Sequence, residues 1–278
     1  MVKIIADSSA NISQIEAKEM GITVLPLGIS FNEEEFLDDI NISIDEFYER
    51  LTTSKVFPKT SQLSMELLEQ TYSEAKKNNE TILLILLSSK LSGTVNCANL
   101  VKNNGGYDNV YVYDSKGATA LNRILVDVAL QNKEKPAEEI IKILDEVRDR
   151  IELYAALDTL EYLHKGGRLS KTKAVVGNML GLKPILTILK DGSLDVKAKA
   201  IGLNNAIKTI NNLVEKSGGI DTNYPVYFLY SKIDTNGKKL QKCYEHLNLK
   251  QTKLLNLCSV IGCHIGAGVA GIVYVRKV

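Results

Sequence analysis

Apolar residues along this chain follow two rhythms. Short apolar-rich runs at 2–6, 24–31 and 110–113 read as strands, and the uninterrupted run at 81–87 has the length and density of a strand buried on both faces. Between them, apolar positions recur three and four apart, as on one face of a helix. Ser43-x-x-Glu46 ahead of Phe47, Tyr48 and Leu51 predicts a helix with a capping box, running to about Thr53. Ser64 is placed to cap a second, with Leu67, Leu68 and Tyr72 on its apolar face. Further helices are expected from Gly93, over 118–132, and from Pro136 through Ile140, Ile141, Leu144 and Val147 to Arg150. Strand and helix alternate, which predicts a parallel sheet.

Past Arg150 the pattern changes. Strands over 183–189 and 193–199 flank Asp191-Gly192, a hairpin signal. A helix over 204–216, a strand over 225–230, a helix over 236–247 and strands over 253–257 and 271–275 complete the chain. The fold expected is therefore α/β in two domains: residues 1–150 with a parallel sheet, and residues 151–278 forming a smaller domain with a partly antiparallel sheet.

Composition narrows the function. In 278 residues, 34 Lys plus Arg oppose 33 Asp plus Glu, so no global field gathers nucleic acid, and any anion must be bound locally. Cys97, Cys243, Cys258 and Cys263 lack C-x-x-C spacing and read as buried thiols of a reducing compartment. Met1 leads into an apolar run without the pattern of an export signal, and the longest apolar stretch, six residues at 82–87, falls far short of the roughly 20 that span a bilayer. A cytoplasmic protein without an integral membrane segment is expected.

Four stretches carry more hydroxyls, glycines and single charges than packing requires: Thr60-Ser61-Gln62, the run from Ser88 to Thr94, Gly166-Gly167-Arg168, and His264-Ile265-Gly266-Ala267-Gly268. A hydroxyl-rich turn between a strand end and a helix start places Ser92, Gly93 and Thr94 at a positive helix terminus, suited to an anion. A plain capping role for Ser92, a surface ion pair for Arg168 and a satisfied core histidine for His264 are the competing readings.

Other motifs fail on context. Gly266-Ala267-Gly268-Val269-Ala270-Gly271 matches G-x-G-x-x-G, but the segment after it is strand-like and lacks the acidic residue expected about 20 positions on. Ser170-x-x-Lys173 matches a Ser/Lys nucleophile pattern that Ser73-x-x-Lys76 matches equally. His164, His246 and His264 lack partner ligands at metal spacing. No metal, cofactor or catalytic residue is expected.

The stretches above, together with 4–11 (Ile-Ile-Ala-Asp-Ser-Ser-Ala-Asn), Pro26-Leu27, Asp114-Ser115, 160–170 and Lys183-Pro184-Ile185-Leu186, resemble the DegV family along nearly the whole chain. That family includes the fatty-acid-binding subunit of bacterial fatty-acid kinase. The resemblance implies a long-chain fatty acid held between the domains. Thr60, Ser61, Ser92, Gly93, Thr94, His264 and Gly266 would surround its carboxylate, with Gly167 and Arg168 supporting them or facing a partner. It implies a carrier that presents the acid to a separate ATP-binding kinase subunit, with transient membrane contact and no catalytic centre of its own. The alternatives are a lipid-responsive regulatory module, or a stand-alone kinase or hydrolase using the loop from Ser88 to Thr94. Leu63 and Ala267 stand where the family usually has proline, and a family arginine after the hairpin is replaced at about Ile201.

Overall fold

A computed structural model describes residues 1–169, 181–249 and 251–278; Ser170 and Lys173 of the Ser/Lys pattern lie outside the described residues. β1 (Lys3–Asp7) buries Ile4, Ile5 and Ala6, as an unbroken apolar run should. Asp7 ends it, accepting the Ser9 N–H at 3.0 Å and closing a short turn over Ser8–Ala10. After α1 (Gln14–Met20), the single strand expected over 24–31 proves to be two. β2 (Thr23–Leu25) joins β1, whereas β3 (Gly28–Phe31) leaves for a small antiparallel sheet of order β4-β3-β5, with β4 (Glu34–Leu37) and β5 (Lys59–Ser61). The break falls at Pro26, which has no N–H for a ladder, and the next N–H, that of Leu27, goes to Ser8 Oγ at 3.2 Å.

Ser43 caps α2 (Ile44–Thr53) and Ser64 caps α3 (Met65–Lys77), accepting the Glu46 and Leu67 N–H groups at 3.2 and 3.1 Å. The reciprocal half of the expected capping box does not form among the described residues, because Glu46 turns to Arg50 3.5 Å away. β6 (Ile82–Leu86), α4 (Thr94–Gly105), β7 (Val110–Asp114), α5 (Ala120–Gln131) and α6 (Ala137–Arg148) follow as read. The strands pair in parallel in the order β2-β1-β6-β7. Successive connections run to opposite sides between β1 and β6, where the carboxyl ends of such a sheet leave a crevice.

The rest of the chain comprises β8 (Ile151–Ala156), α7 (Glu161–Lys165), β9 (Leu182–Ile188), β10 (Leu194–Ile201), α8 (Leu203–Lys216), β11 (Val226–Tyr230), α9 (Asp234–Lys242), β12 (Thr252–Asn256), α10 (Ser259–Ile265) and β13 (Ala270–Val275). Its sheet runs β10-β9-β8-β13-β11-β12 and is antiparallel except for the β11–β12 pair. The hairpin at Asp191-Gly192 joins β9 to β10 as predicted. The helix expected over 236–247 splits into α9 and a short turn over Glu245–Leu247. The glycine-rich match lies between a helix and a strand, the reverse of the dinucleotide order. Of the cysteines read as buried, Cys97 and Cys263 are, whereas Cys243 and Cys258 are partly exposed.

One apolar core lies between the two sheets and takes in α5 and α6. A second covers the other face of the parallel sheet under α2, α3 and α4, and it recruits Val260 and Cys263 from α10. α10 thus packs far from its neighbours in sequence: Gly262 sits where a β-carbon would strike Phe47 and Tyr48, and the Tyr48 hydroxyl donates to Leu257 O at 2.9 Å. Among the described residues no helix is long and apolar enough to cross a membrane.

Candidate lipid-binding site

The crevice at the carboxyl ends of the parallel strands opens into a cavity of about 360 Å³ between the sheets. Its composition is graded. Ser61, Gln62 and Gly93 are exposed, Thr60, Ser92, Arg168 and His264 half-buried, and all line the open end. Apart from the buried Thr119, the rest of the wall is aliphatic and includes Leu153, Ala155 and Leu157 at β8, Leu186 and Ile188 of β9, Leu194 of β10, Leu229 of β11 and Leu257 after β12. A polar end with an apolar interior is what an amphiphile with one small head group requires.

Each polar residue is held from behind. The turn after β6 is pinned to the end of β7 by Ser89, whose hydroxyl donates to Asp114 Oδ2 at 2.5 Å. The Ser88 hydroxyl donates to Gly192 O at 2.9 Å, fixing the same turn to the tip of the β9–β10 hairpin. Deeper in, the Leu87 N–H donates to Asp7 Oδ2 at 2.7 Å. Ser92 and Thr94 share a hydroxyl hydrogen bond of 2.9 Å, and Gly93 is the N-cap of α4 without a side-chain cap. Of the two readings of Ser92, the capping one holds in altered form: Gly93 is the N-cap position, while Ser92 Oγ accepts the Thr94 N–H at 3.3 Å, and the α4 amino end lies beside the cavity.

His264, in the last turn of α10, shares a 2.9 Å hydrogen bond between its Nε2 and Thr60 Oγ1 of β5. Its Nδ1 is sealed from solvent without a partner among the described residues. Burial, reinforced by the Arg168 charge, lowers the imidazole pKa to about 4, so the ring is neutral at physiological pH. Arg168 is itself anchored, donating from Nε to Leu91 O at 3.2 Å and from Nη1 to Gly166 O at 2.5 Å. It joins the turn after β6 to the turn after α7.

Six of the residues singled out in the sequence converge on the cavity: Thr60, Ser61, Ser92, Gly93, Arg168 and His264. Three do not line it. Thr94 stands behind Ser92, Gly167 forms a turn at φ +69°, and Gly266 closes α10 at φ +73° against the Tyr162 ring. Two contributors lie inside the stretches singled out in the sequence but were given no role there. Gln62 lines the open end with its carboxamide oxygen where a β-carbon on Gly93 would fall, and Gly166 packs where a β-carbon would enter the His264 ring. Paired glycines beside an arginine were the available signal, but φ alone pointed to Gly167 and not to its neighbour.

Comparison with known proteins accords with this arrangement. The family model described as "Uncharacterised protein, DegV family" matches residues 1–277. The chain belongs to the DegV family. A DegV domain-containing protein of Clostridium perfringens is 31% identical over 275 residues, covering 98% of this chain and 97% of that protein. Another, of Clostridium acetobutylicum, is 28% identical over 284 residues, 99% of each chain. Among solved structures, DegV of Bacillus subtilis, described as a fatty acid binding protein, shares 28% identity at a TM-score of 0.84 over 99% of both chains. A DegV lipid binding protein of Thermotoga maritima shares 27% at 0.87, and a Thermus thermophilus DegV protein described by its fatty acid binding shares 26% at 0.89, each over 99% of both chains. The DegV fold accounts for the position of the cavity, since its parallel and mixed sheets face one another across it.

Proposed function

We propose that this DegV-family protein binds a long-chain fatty acid, with the carboxylate at the open end of the cavity and the acyl chain within. The observation that carries the reading is the composition of the cavity itself: hydroxyls, a helix amino end and a neutral imidazole together with a wall that is otherwise aliphatic apart from Thr119. An unpaired carboxylate entering such a space would be driven to its neutral form. Hydrogen bonds from Thr60, Ser61, Ser92 and the N–H groups at Gly93 offset this at about 1.5–3 kcal/mol each, and burying roughly 14–18 carbons adds ~0.8 kcal/mol per CH₂.

We propose further, from the resemblance to the DegV family, that the bound acid is presented to a separate ATP-binding kinase subunit. A head group among half-buried side chains stays within reach of a second protein, while the tail is enclosed. Phosphoryl transfer to a carboxylate oxygen would then draw its nucleotide and metal from that partner. On this reading Arg168 and Gly167 shape the rim that the partner meets.

Titration of the delipidated protein with palmitate tests the proposal. Wild type should bind in the micromolar range or tighter. Ser92→Ala and His264→Ala should each weaken binding by about tenfold, the equivalent of one hydrogen bond to a charged group. Unchanged affinity in both variants would remove these residues from the site.

A further inference from the structure

α10 is a seven-residue helix that carries His264, and its start is gripped by residues from the other end of the chain. The Cys258 N–H donates to Asn11 Oδ1 at 2.8 Å, and Asn11 Nδ2 donates to Asn256 O at the same distance. The Tyr48 hydroxyl holds Leu257 O. The fourth grip is Asp38, in the turn after β4, which is 1% exposed. Its carboxyl faces the Ser8 and Ser259 hydroxyls and the Val260 N–H, while Oδ2 is sealed without a close hydrogen-bond partner among the described residues. A buried carboxyl, only partly satisfied, is a costly feature with no contact to the cavity described above.

We propose that Asp38 is a positioning residue for the head-group site, acting through α10 to hold the His264 imidazole on Thr60. The inference rests on His264 serving that site. The Asp38 carboxyl meets the Val260 N–H in the first turn of α10, at the positive end of its dipole. His264 follows Ser259 by five residues of helix, ~7.5 Å along the axis. α10 packs on α2, β3 and β5, so a shift at its start moves His264 relative to Thr60 on β5. Among the described residues the His264 side chain has one hydrogen bond, through Nε2, to hold it in register. Fixing the helix therefore fixes the ring.

The surroundings make the anchor pH-sensitive. Burial raises the Asp38 pKa to about 6 against the pull of Ser8, Ser259 and the Val260 N–H, with Asp39 adding like charge. The remaining titratable groups facing it, Tyr48, Cys258 and Cys263, have pKa values pushed up and stay neutral in this range. Glu16 and Lys253 line the small hollow beside Asp38 and form an ion pair with each other.

The test is an NMR pH titration of the His264 ring nitrogens in ligand-free wild type, Asp38→Asn and Asp38→Ala, together with palmitate affinity. Wild type should show an inflection near pH 6, transmitted from Asp38, in addition to the ring's own near 4. Asp38→Asn keeps an acceptor without a titrating proton. It should lose the upper inflection, keep the Nε2 hydrogen-bond signature and bind within about twofold of wild type. Asp38→Ala should lose that signature and weaken palmitate about tenfold, at the scale of one hydrogen bond to a charged group. A His264 spectrum identical in wild type and Asp38→Asn at every pH overturns the inference, as does full affinity in Asp38→Ala. Should Asp38→Ala not fold, the Asp38→Asn comparison decides alone. Wild type that binds no palmitate yet shows the upper inflection would sink the lipid reading and leave the link between Asp38 and His264 standing.

Discussion

His264 is neutral because it is buried beside Arg168, and this sets how the site responds to pH. A carboxylate arriving next to the ring favours the charged form and raises its pKa from about 4. Binding should therefore be accompanied by proton uptake at pH 5.5 to 6 and by little at pH 8. Calorimetry in two buffers of different ionisation enthalpy reads this directly; proton release would contradict it. Stability carries the opposite sign for the free protein. Between pH 4 and 6.5 the unfolded chain binds the proton that folded His264 refuses, so its contribution falls as pH drops through that window, by at most ~3 kcal/mol. Asp38, whose pKa is raised to about 6, works the other way below that pH, so the comparison must be wild type against His264→Ala. Gly166→Ala gives a second residue-scale expectation. Its β-carbon would occupy the imidazole's place, so palmitate affinity should fall about as far as in His264→Ala while the melting temperature changes less. An unchanged affinity would mean that the ring position does not matter.

At the scale of elements, the β9–β10 hairpin roofs the cavity with Leu186, Ile188 and Leu194, and its tip rests on Ser88. Gly192 makes that seat possible: it sits at φ +89°, and a β-carbon there would overlap Ser88 Oγ and come within 3.0 Å of Lys116 Cα. Gly192→Ala should cost about 1–3 kcal/mol in denaturant unfolding and loosen ligand retention together. An undiminished unfolding midpoint would show that the tip is not seated as described. The Asp-Gly pair announced this hairpin in the sequence, just as Ser43 and Ser64 announced their helices, because caps and tight turns are local chemistry. The division of residues 24–31 between two sheets was not legible, since Val24 to Phe31 reads as one apolar run until Ser8 takes the Leu27 N–H from 19 positions away. α10 escaped for a related reason. Only seven residues long, with one glycine and three β-branched residues, it has weak helix propensity and is held by Asn11, Tyr48 and packing against α2. Thr60 and His264 were each named from sequence, but their meeting 204 positions apart depends on that helix.

For the whole molecule, the cavity exists only while the two sheets keep their distance. Away from the open end they are tied by a buried charge network. Arg123 of α5, its side chain 4% exposed, pairs with Glu16 of α1, which also meets Lys253 of β12. Nearby, the Tyr227 hydroxyl of β11 donates to Asp127 Oδ2 of α5 at 2.5 Å. Arg123→Ala removes the buried cation while Lys253 still faces Glu16, so it should destabilise the protein by about 1.5–3 kcal/mol, the scale of a hydrogen bond to a charged group, read from chemical unfolding. A loss below ~1 kcal/mol would place the network at the level of an ordinary surface pair. The central claim is that the space between the sheets is an acyl-chain site. Native mass spectrometry of the protein purified from bacteria tests it most directly. The account predicts a bound mass of one long-chain fatty acid per chain, lost on denaturation and restored on adding palmitate to the stripped protein. A chain that carries no lipid and takes none up would contradict it.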